Sequence, residues 1–482
     1  MNQQFEQELQ NSWQERQEYA ERMLPIIGRL YRNNAVEISL YGRSLLNANA
    51  IDVIKSHRKV RLFEGSKLKL RDSWPVLEIV EKLSLSPCEV DIGKLAYDYL
   101  TKVDSASVSL EDYVKEQLSS VLSKQDEQKP RDVVLYGFGR IGRLMARLLI
   151  ERQGKANKLR LRAIVVRGGK EGDLEKRASL LRRDSVHGPF LGSITIDKER
   201  NAIKANGSYI QVIYANHPSE VDYTKYGIED ALICDNTGVW RDRDGLSQHL
   251  TSKGAAKVLL TAPGKGDIKN IVYGVNHGDI EPQDTVLSAA SCTTNAITPT
   301  LKALDSEYGI VNGHVETVHA FTNDQNLIDN FHKADRRGRA APLNMVITET
   351  GAAKAVAKAY PKLEGKLTGN AIRVPTPNVS MAILNLNLEN EVTKEGINEY
   401  LQKTSLFSPL QHQIDFTASK EIVSTDLVGT SAAGIVDSQA TIVSGNRATI
   451  YLWYDNEFGY SCQVLRVLRD MAELEIPVLP KA

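Results

Sequence analysis

The sequence predicts an α/β protein. A domain built on a mainly parallel sheet is followed by an α+β domain, and a mainly helical segment precedes both. Three observations point there. The apolar run Val133-Val134-Leu135-Tyr136 passes at once into Gly137-Phe138-Gly139-Arg140-Ile141-Gly142, and Leu144, Leu148 and Leu149 follow at helical spacing. Further short apolar runs, at 161–166, 232–235 and 258–260, alternate with helical stretches, as parallel strands joined by crossovers require. Residues 1–130 instead repeat apolar positions mostly at helical spacing, with little strand alternation.

The 482 residues leave room for roughly two to four domains. Hydrophobic residues make up 42%, enough for ordinary cores. Basic and acidic side chains number 60 each, so no global charge draws the chain to nucleic acid or an anionic membrane. No apolar run approaches a bilayer span, and Met1 to Arg16 is polar, unlike a secretory signal or transit peptide. Cys88, Cys234, Cys292 and Cys462 form no CxxC pair. They suit reduced thiols in a cytoplasmic protein, and no metal site is expected.

In the first segment, Phe5, Leu9, Trp13, Ala20, Met23 and Ile27 mark helical structure, and Pro25 predicts a break between two helices. Ser73-Trp74-Pro75 predicts a helix start, and Ser109 to Asp112 resembles a capping arrangement. Arg58, Lys59, Arg61, Lys67, Lys69 and Arg71 form a basic cluster, read as a solvated surface rather than a ligand contact. Ser123 to Arg131 is polar, contains Pro130 and is the expected linker.

Strand, glycines and helix at 133–149 are the context in which GxGxxG carries meaning. Gly137 permits a tight turn, Gly139 lets backbone approach a pyrophosphate, and Gly142 permits close helix–strand packing. A Rossmann-type dinucleotide site is expected here. The next strand ends at Arg167, where an NAD site usually carries Asp or Glu. A guanidinium cannot accept from ribose hydroxyls but can pair with a 2′-phosphate, so NADP is expected ahead of NAD. The alternative is an Arg167 turned to solvent and an enzyme that takes either.

Ser291-Cys292-Thr293-Thr294-Asn295 follows the apolar run 285–287, and Ile297, Leu301 and Leu304 continue on one helical face. The thiol would stand at a helix N-terminus, where N–H groups and the dipole favour a thiolate. A lone cysteine is as readily an inert core residue.

The pentapeptide resembles the active-site signature of the phosphorylating glyceraldehyde-3-phosphate dehydrogenases. Matching blocks follow in family order: Glu316 to Gln325, Gly351 to Ala355, Leu367 to Ser380 and Trp453 to Ser461. The resemblance covers about residues 132–482 and implies domains at 131–291 (dinucleotide) and 292–458 (catalytic), behind an extension at 1–130. A C-terminal helix, 459–482, is expected to pack back on the dinucleotide domain. It implies Cys292 as nucleophile and His319 as base. Arg140, Ile141, Thr237, Gly238, Thr261, Asn456 and Tyr460 join the glycines as cofactor contacts. Ser291, Thr293, Thr322, Asp324, Arg337, Thr350, Gly351 and Arg373 are implied around the substrate phosphate and inorganic phosphate. Asp184-Ser185-Val186-His187-Gly188 is implied as structural. Asn330-Phe331 stands where NAD-type relatives often place Leu-Pro. A homotetramer is implied, with glyceraldehyde 3-phosphate as substrate. Erythrose 4-phosphate, or a binding protein on the same scaffold, are the alternatives.

Overall fold

The computed structural model describes residues 3–122, 129–154 and 158–481. Of the expected linker, residues 123–128 lie outside the described residues. The chain forms two compact units. One takes 1–129, 153–158 and 474–482; the other takes 130–152 and 159–473.

The first unit opens on one helix, Gln3–Asn34, that runs through Pro25 without the expected break. Proline removes one N–H from the ladder. The surrounding turns bury Ala20, Met23, Ile26, Ile27, Leu30 and Tyr31, and that packing carries the helix across. A second expectation also shifts: the helix predicted to start at Ser73 begins at Leu70 and contains Pro75. Ser109 caps the helix Leu110–Gln117 by accepting from the N–H of Asp112, as its spacing predicts.

Beside its helices this unit holds a four-stranded sheet, ordered Arg43–Ser44, Val36–Leu40, Cys88–Asp91, Val478–Leu479. The strands are two to five residues long, and Cys88–Asp91 is buried throughout, so no alternation betrays it. The last strand corrects the expected C-terminal helix. That helix spans Phe458–Met471, and the chain then continues to a strand parallel to Cys88–Asp91.

The second unit contains two eight-stranded sheets. The first is ordered Val286–Ser288, Ala255–Leu260, Ala231–Asp235, Arg131–Tyr136, Leu159–Val166, Ser208–Tyr214, Ala202–Ala205, Ile194–Asp197. Its first six strands pair in parallel, and Arg131–Tyr136 is central and buried beyond its first residue. Parallel strands covered on both faces are continuously apolar, as this one is.

The second sheet follows the path Val346–Thr348, Leu367–Val374, Ile310–Ala320, Ser380–Leu388, Arg447–Tyr454, Gly434–Asp437, Ile414–Thr417; Ile442–Ser444 adds to Arg447–Tyr454 off that path. Helix Cys292–Tyr308 lies against this sheet, burying Ala296, Ile297, Leu301 and Leu304 in a common core with Leu384, Leu452 and Tyr454. The same helix follows the edge strand of the first sheet. One helix N-terminus therefore stands where the two sheets' machinery meets.

Candidate active site

The turn from Val286–Ser288 into the helix passes through Ala290, a buried non-glycine residue at φ 54°. A left-handed alanine costs about 1–2 kcal/mol. The phenol of Tyr460 donates to its carbonyl at 2.9 Å and helps to hold it. Ser291 then caps the helix, its Oγ accepting from the N–H of Thr294 at 3.0 Å. Cys292 is the first helical residue and remains half-buried.

His319 reaches the thiol from strand Ile310–Ala320: its Nε2 lies 3.5 Å from Cys292 Sγ. Its Nδ1 lies 2.7 Å from the carbonyl oxygen of Ala320 and 2.8 Å from Nη1 of Arg373. A carbonyl can only accept, so Nδ1 carries the proton. Arg373 then donates to Ala320 O at 3.1 Å and Thr322 Oγ1 at 3.4 Å, not to the ring. This tautomer leaves the Nε2 lone pair facing sulfur, as a base requires.

Burial, and then the Arg373 charge, push the His319 imidazole down to about 3. Burial pushes the Cys292 thiol up, opposed by Arg373 and by hydrogen bonds from Thr293. Burial and Arg373 thus act together on the ring, but against each other on the thiol. The two protons belong to a coupled pair.

Behind this pair stands Tyr454, fully buried, with its ring nearly perpendicular to His319 at 5.9 Å. Its hydroxyl lies 3.0 Å from Thr293 Oγ1 on the cysteine helix and 2.7 Å from Thr317 Oγ1 on the histidine strand. One phenol thus ties the two catalytic elements together. Its position in Trp453-Tyr454-Asp455 made it a core aromatic by default, and sequence reasoning missed it.

Arg337 and Arg373 approach the same end of the second sheet. Arg337 donates from Nη1 to Asp324 at 3.0 Å and from Nε to Thr348 Oγ1 at 3.2 Å. Thr322 donates to the other Asp324 oxygen. The buried Nε of Arg373 has no hydrogen-bond partner. An orphaned guanidinium N–H beside a second arginine marks a place for an anion.

Other expected phosphate ligands have partners within the protein. Thr293 turns its hydroxyl inward to Tyr454, and Ser291 uses its own as the helix cap. Thr350 accepts from the N–H of Ala352, where Gly351 opens helix Ala352–Ala359. No described hydrogen bond joins Thr350 or Gly351 to either arginine.

The glycine motif lies at the end of the central strand. Gly137 has φ 92°, and a Cβ there would stand 2.8 Å from Thr237 Cγ2. A Cβ on Gly142 would come within 2.3 Å of Gly137 O, so helix and turn touch only because it is absent. Gly139 faces open space. A cavity of about 380 Å³ opens here, lined by Gly137, Gly139 and Thr237 with Arg167, Arg177 and Trp240. Open backbone, a helix N-terminus and two guanidinium groups fit a dinucleotide with its phosphates. Arg177 and Trp240 were not foreseen; the Asp173–Arg177 spacing of four residues was the available signal for the first.

The side chain of Arg140 has partners of its own. Its guanidinium binds Asp184 and clasps Glu457, with Nε 2.9 Å from Glu457 Oε1. The side chain therefore braces the glycine turn against the segment holding Asn456, and only its backbone remains for a cofactor. His187 supports the same brace through Asp455 at 3.1 Å. Asn456 accepts from Ser380 Oγ at 2.8 Å, and that oxygen accepts from the N–H of Ala320, next to the histidine. Thr261 donates to Asp235 O at 3.1 Å and so supports the neighbouring Thr237-Gly238 turn.

Family models match two stretches. Residues 131–243 match the glyceraldehyde 3-phosphate dehydrogenase NAD binding domain, and residues 291–456 match the C-terminal domain of the same family. The chain belongs to the glyceraldehyde 3-phosphate dehydrogenase family. A glyceraldehyde-3-phosphate dehydrogenase-like protein of Pseudomonas aeruginosa is 60% identical over 463 residues, covering 95% of this chain and 100% of its own. Glyceraldehyde-3-phosphate dehydrogenase 2 of Trichormus variabilis is 41% identical, covering 71% of this chain and 97% of its own. The chloroplastic A enzyme of Zea mays is 39% identical, covering 71% and 81%. The Pseudomonas match is long enough to include most of the N-terminal segment. Membership makes the chain an oxidoreductase with a nicotinamide dinucleotide site. Among the described residues, no helix is long and apolar enough to cross a membrane, and no His/Cys/Asp/Glu group is arranged to hold a metal.

Proposed function

We propose that this chain oxidises D-glyceraldehyde 3-phosphate and joins the product to inorganic phosphate, giving 1,3-bisphosphoglycerate reversibly, with NADP preferred to NAD. The observation that carries the reading is the Cys292 Sγ–His319 Nε2 approach of 3.5 Å at a helix N-terminus, beside an arginine with an unpaired buried N–H.

The chemistry of the residues follows. Sulfur adds to the aldehyde carbon, and a thiohemiacetal forms on Cys292. Its hydroxyl proton goes to Nε2 of His319, which Nδ1–H···O=C bonding holds in the accepting tautomer. The helix N-terminus and Arg373 steady negative charge on the thiolate and on bound phosphate. When bound, the nicotinamide dinucleotide supplies the acceptor for the hydride leaving that carbon. Oxidation leaves a thioester on Cys292. Inorganic phosphate attacks it, the C–S bond breaks, and the acyl phosphate departs with the thiolate restored.

NADP preference is supported by the cavity end. Arg167 is exposed there and paired with no acid among the described residues, while Arg177 is steered by Asp173 at 2.8 Å and Arg167 O at 2.8 Å. A homotetramer in the cytoplasm is part of the same reading. The tetramer is supported by exposed apolar side chains at Leu327, Ile328, Phe331, Leu343 and Met345, all within one segment of 19 residues.

The test is phosphate-dependent NADPH formation from glyceraldehyde 3-phosphate and, in parallel, erythrose 4-phosphate. Cys292→Ser should abolish turnover, and His319→Asn should slow it by about three orders of magnitude. Substantial turnover by the serine variant would reject the assigned nucleophile. Sedimentation of the purified chain reads the oligomer.

A further inference from the structure

A second cavity, about 410 Å³, is lined by Arg162, Arg200, Tyr209, Gln211, Lys225 and Tyr226. It shares no lining residue with the dinucleotide cavity. Its floor is built rather than incidental. Arg162 is fixed by Asp132 at 3.1 Å and by the carbonyls of Tyr226 and Gly227. Gln211 Nε2 donates to the carbonyls of Arg200 at 2.7 Å and Asn201 at 3.1 Å, pinning the turn that carries Arg200.

Two lining cations remain available. Arg200 reaches Asp197 only at 3.5 Å and keeps a side chain 71% exposed. Lys225 has no hydrogen bond or ion pair among the described residues; Asp222 acts on it only at longer range. The local acids are shared: Asp132 serves both Arg160 and Arg162, and Asp197 serves Arg200 and Lys204. Cations therefore outnumber the acids that meet them. Tyr209 and Tyr226 add exposed aromatic faces, and Lys204 stands 5.9 Å from the Tyr209 ring.

We propose that this cavity binds a nucleoside phosphate, with the phosphate between Arg200 and Lys225 and the base against the tyrosine rings. Guanidinium and ammonium groups recognise phosphate, tyrosine faces accept a flat ring, and the volume falls within the range of small-molecule sites. The inference does not depend on the dehydrogenase reading.

The test titrates the full chain with AMP by calorimetry, with NADP⁺ saturating the first cavity. Adenosine and inorganic phosphate are separate arms. A titration of NADP⁺ alone into wild type and Arg167→Asp reports the first cavity independently. AMP should bind with one saturable site, more tightly than adenosine or phosphate. Arg200→Ala/Lys225→Ala should weaken it about tenfold or more, Tyr209→Ala should weaken AMP but not phosphate, and aldehyde turnover should be unchanged. An AMP signal abolished by NADP⁺, or untouched by the double variant, overturns the proposal. So does phosphate binding as tightly as AMP at a site that the double variant removes. Affinity that climbs with the length of a single-stranded oligonucleotide would assign the surface to a strand and also reject it.

Discussion

The hydroxyl of Tyr454 lies 2.7 Å from Thr317 Oγ1, and through its second contact, to Thr293, it joins the histidine strand to the cysteine helix. A phenol placed this way holds the separation of sulfur and imidazole without hydrogen-bonding to either. Tyr454→Phe keeps the ring and removes the tie. Two buried threonine hydroxyls each lose a partner, which costs about 1–3 kcal/mol. We expect a lower melting temperature and roughly tenfold slower turnover, because a small misplacement of reacting groups is felt strongly. The pH dependence of Cys292 alkylation should shift as well; an unchanged alkylation profile would make Tyr454 a packing residue only.

Arg140 is expected to matter for stability before cofactor affinity. Its charge sits between Asp184 and Glu457, whose carboxylates are mostly buried. Removing one partner of such a group leaves uncompensated buried charge, at about 3 kcal/mol or more. Arg140→Ala should therefore melt several degrees lower in the absence of any cofactor. A selective rise in cofactor KM at unchanged melting temperature would instead make the side chain a cofactor contact first.

The chemistry was more legible in the sequence than the framework. Cys292 and the glycine motif sit at strand-to-helix turns, where local residue types dictate local backbone, and both turns form as their sequences imply. The ion pairs of Arg140 were not legible because a motif assigns a position, while the partners Asp184 and Glu457 come from 44 and 317 residues away. Pro25 misled because a propensity rule omits the tertiary burial that carries the helix past it. The strand Val478–Leu479 could not be read locally at all: two residues become a strand only against Cys88–Asp91.

The cavity end at Arg167 and Arg177 carries a prediction about cofactor choice. Each charge-assisted contact to a 2′-phosphate is worth about 1.5–3 kcal/mol. Arg167→Asp replaces one donor with a repelling acid that can accept from ribose hydroxyls. The ratio of kcat/KM for NADP to that for NAD should fall about a hundredfold, with NAD turnover kept. Arg177→Ala should lower the ratio less, and should also free Asp173, its neighbour at 2.8 Å. An unchanged ratio in both variants would place the discrimination elsewhere.

His57 makes the first unit sensitive to acid. Its ring is buried, with Nδ1 2.8 Å from Val53 O and Nε2 2.6 Å from Ser73 Oγ. The carbonyl fixes the proton on Nδ1, so Nε2 accepts from the serine. Protonating Nε2 would reverse that bond, the serine turning its own proton to Leu70 O at 3.2 Å, and would bury a charge; burial accordingly pushes the imidazole down to about 4. The unfolded ring titrates near 6.5, so below that pH the unfolded chain binds a proton that the folded unit refuses. Stability contributed by neutral His57 is thus complete above about pH 6.5. It is lost as pH falls toward about 4, at up to roughly 1.4 kcal/mol per unit. His319 acts with the same sign in the second unit, down to about 3. His57→Gln, which cannot take up a proton, should flatten part of the decline in melting temperature between pH 7 and pH 4.5. The difference between the two curves isolates this ring from the carboxylates that titrate beneath it. Parallel curves for wild type and variant would mean that the His57–Ser73 pair opens before it is protonated.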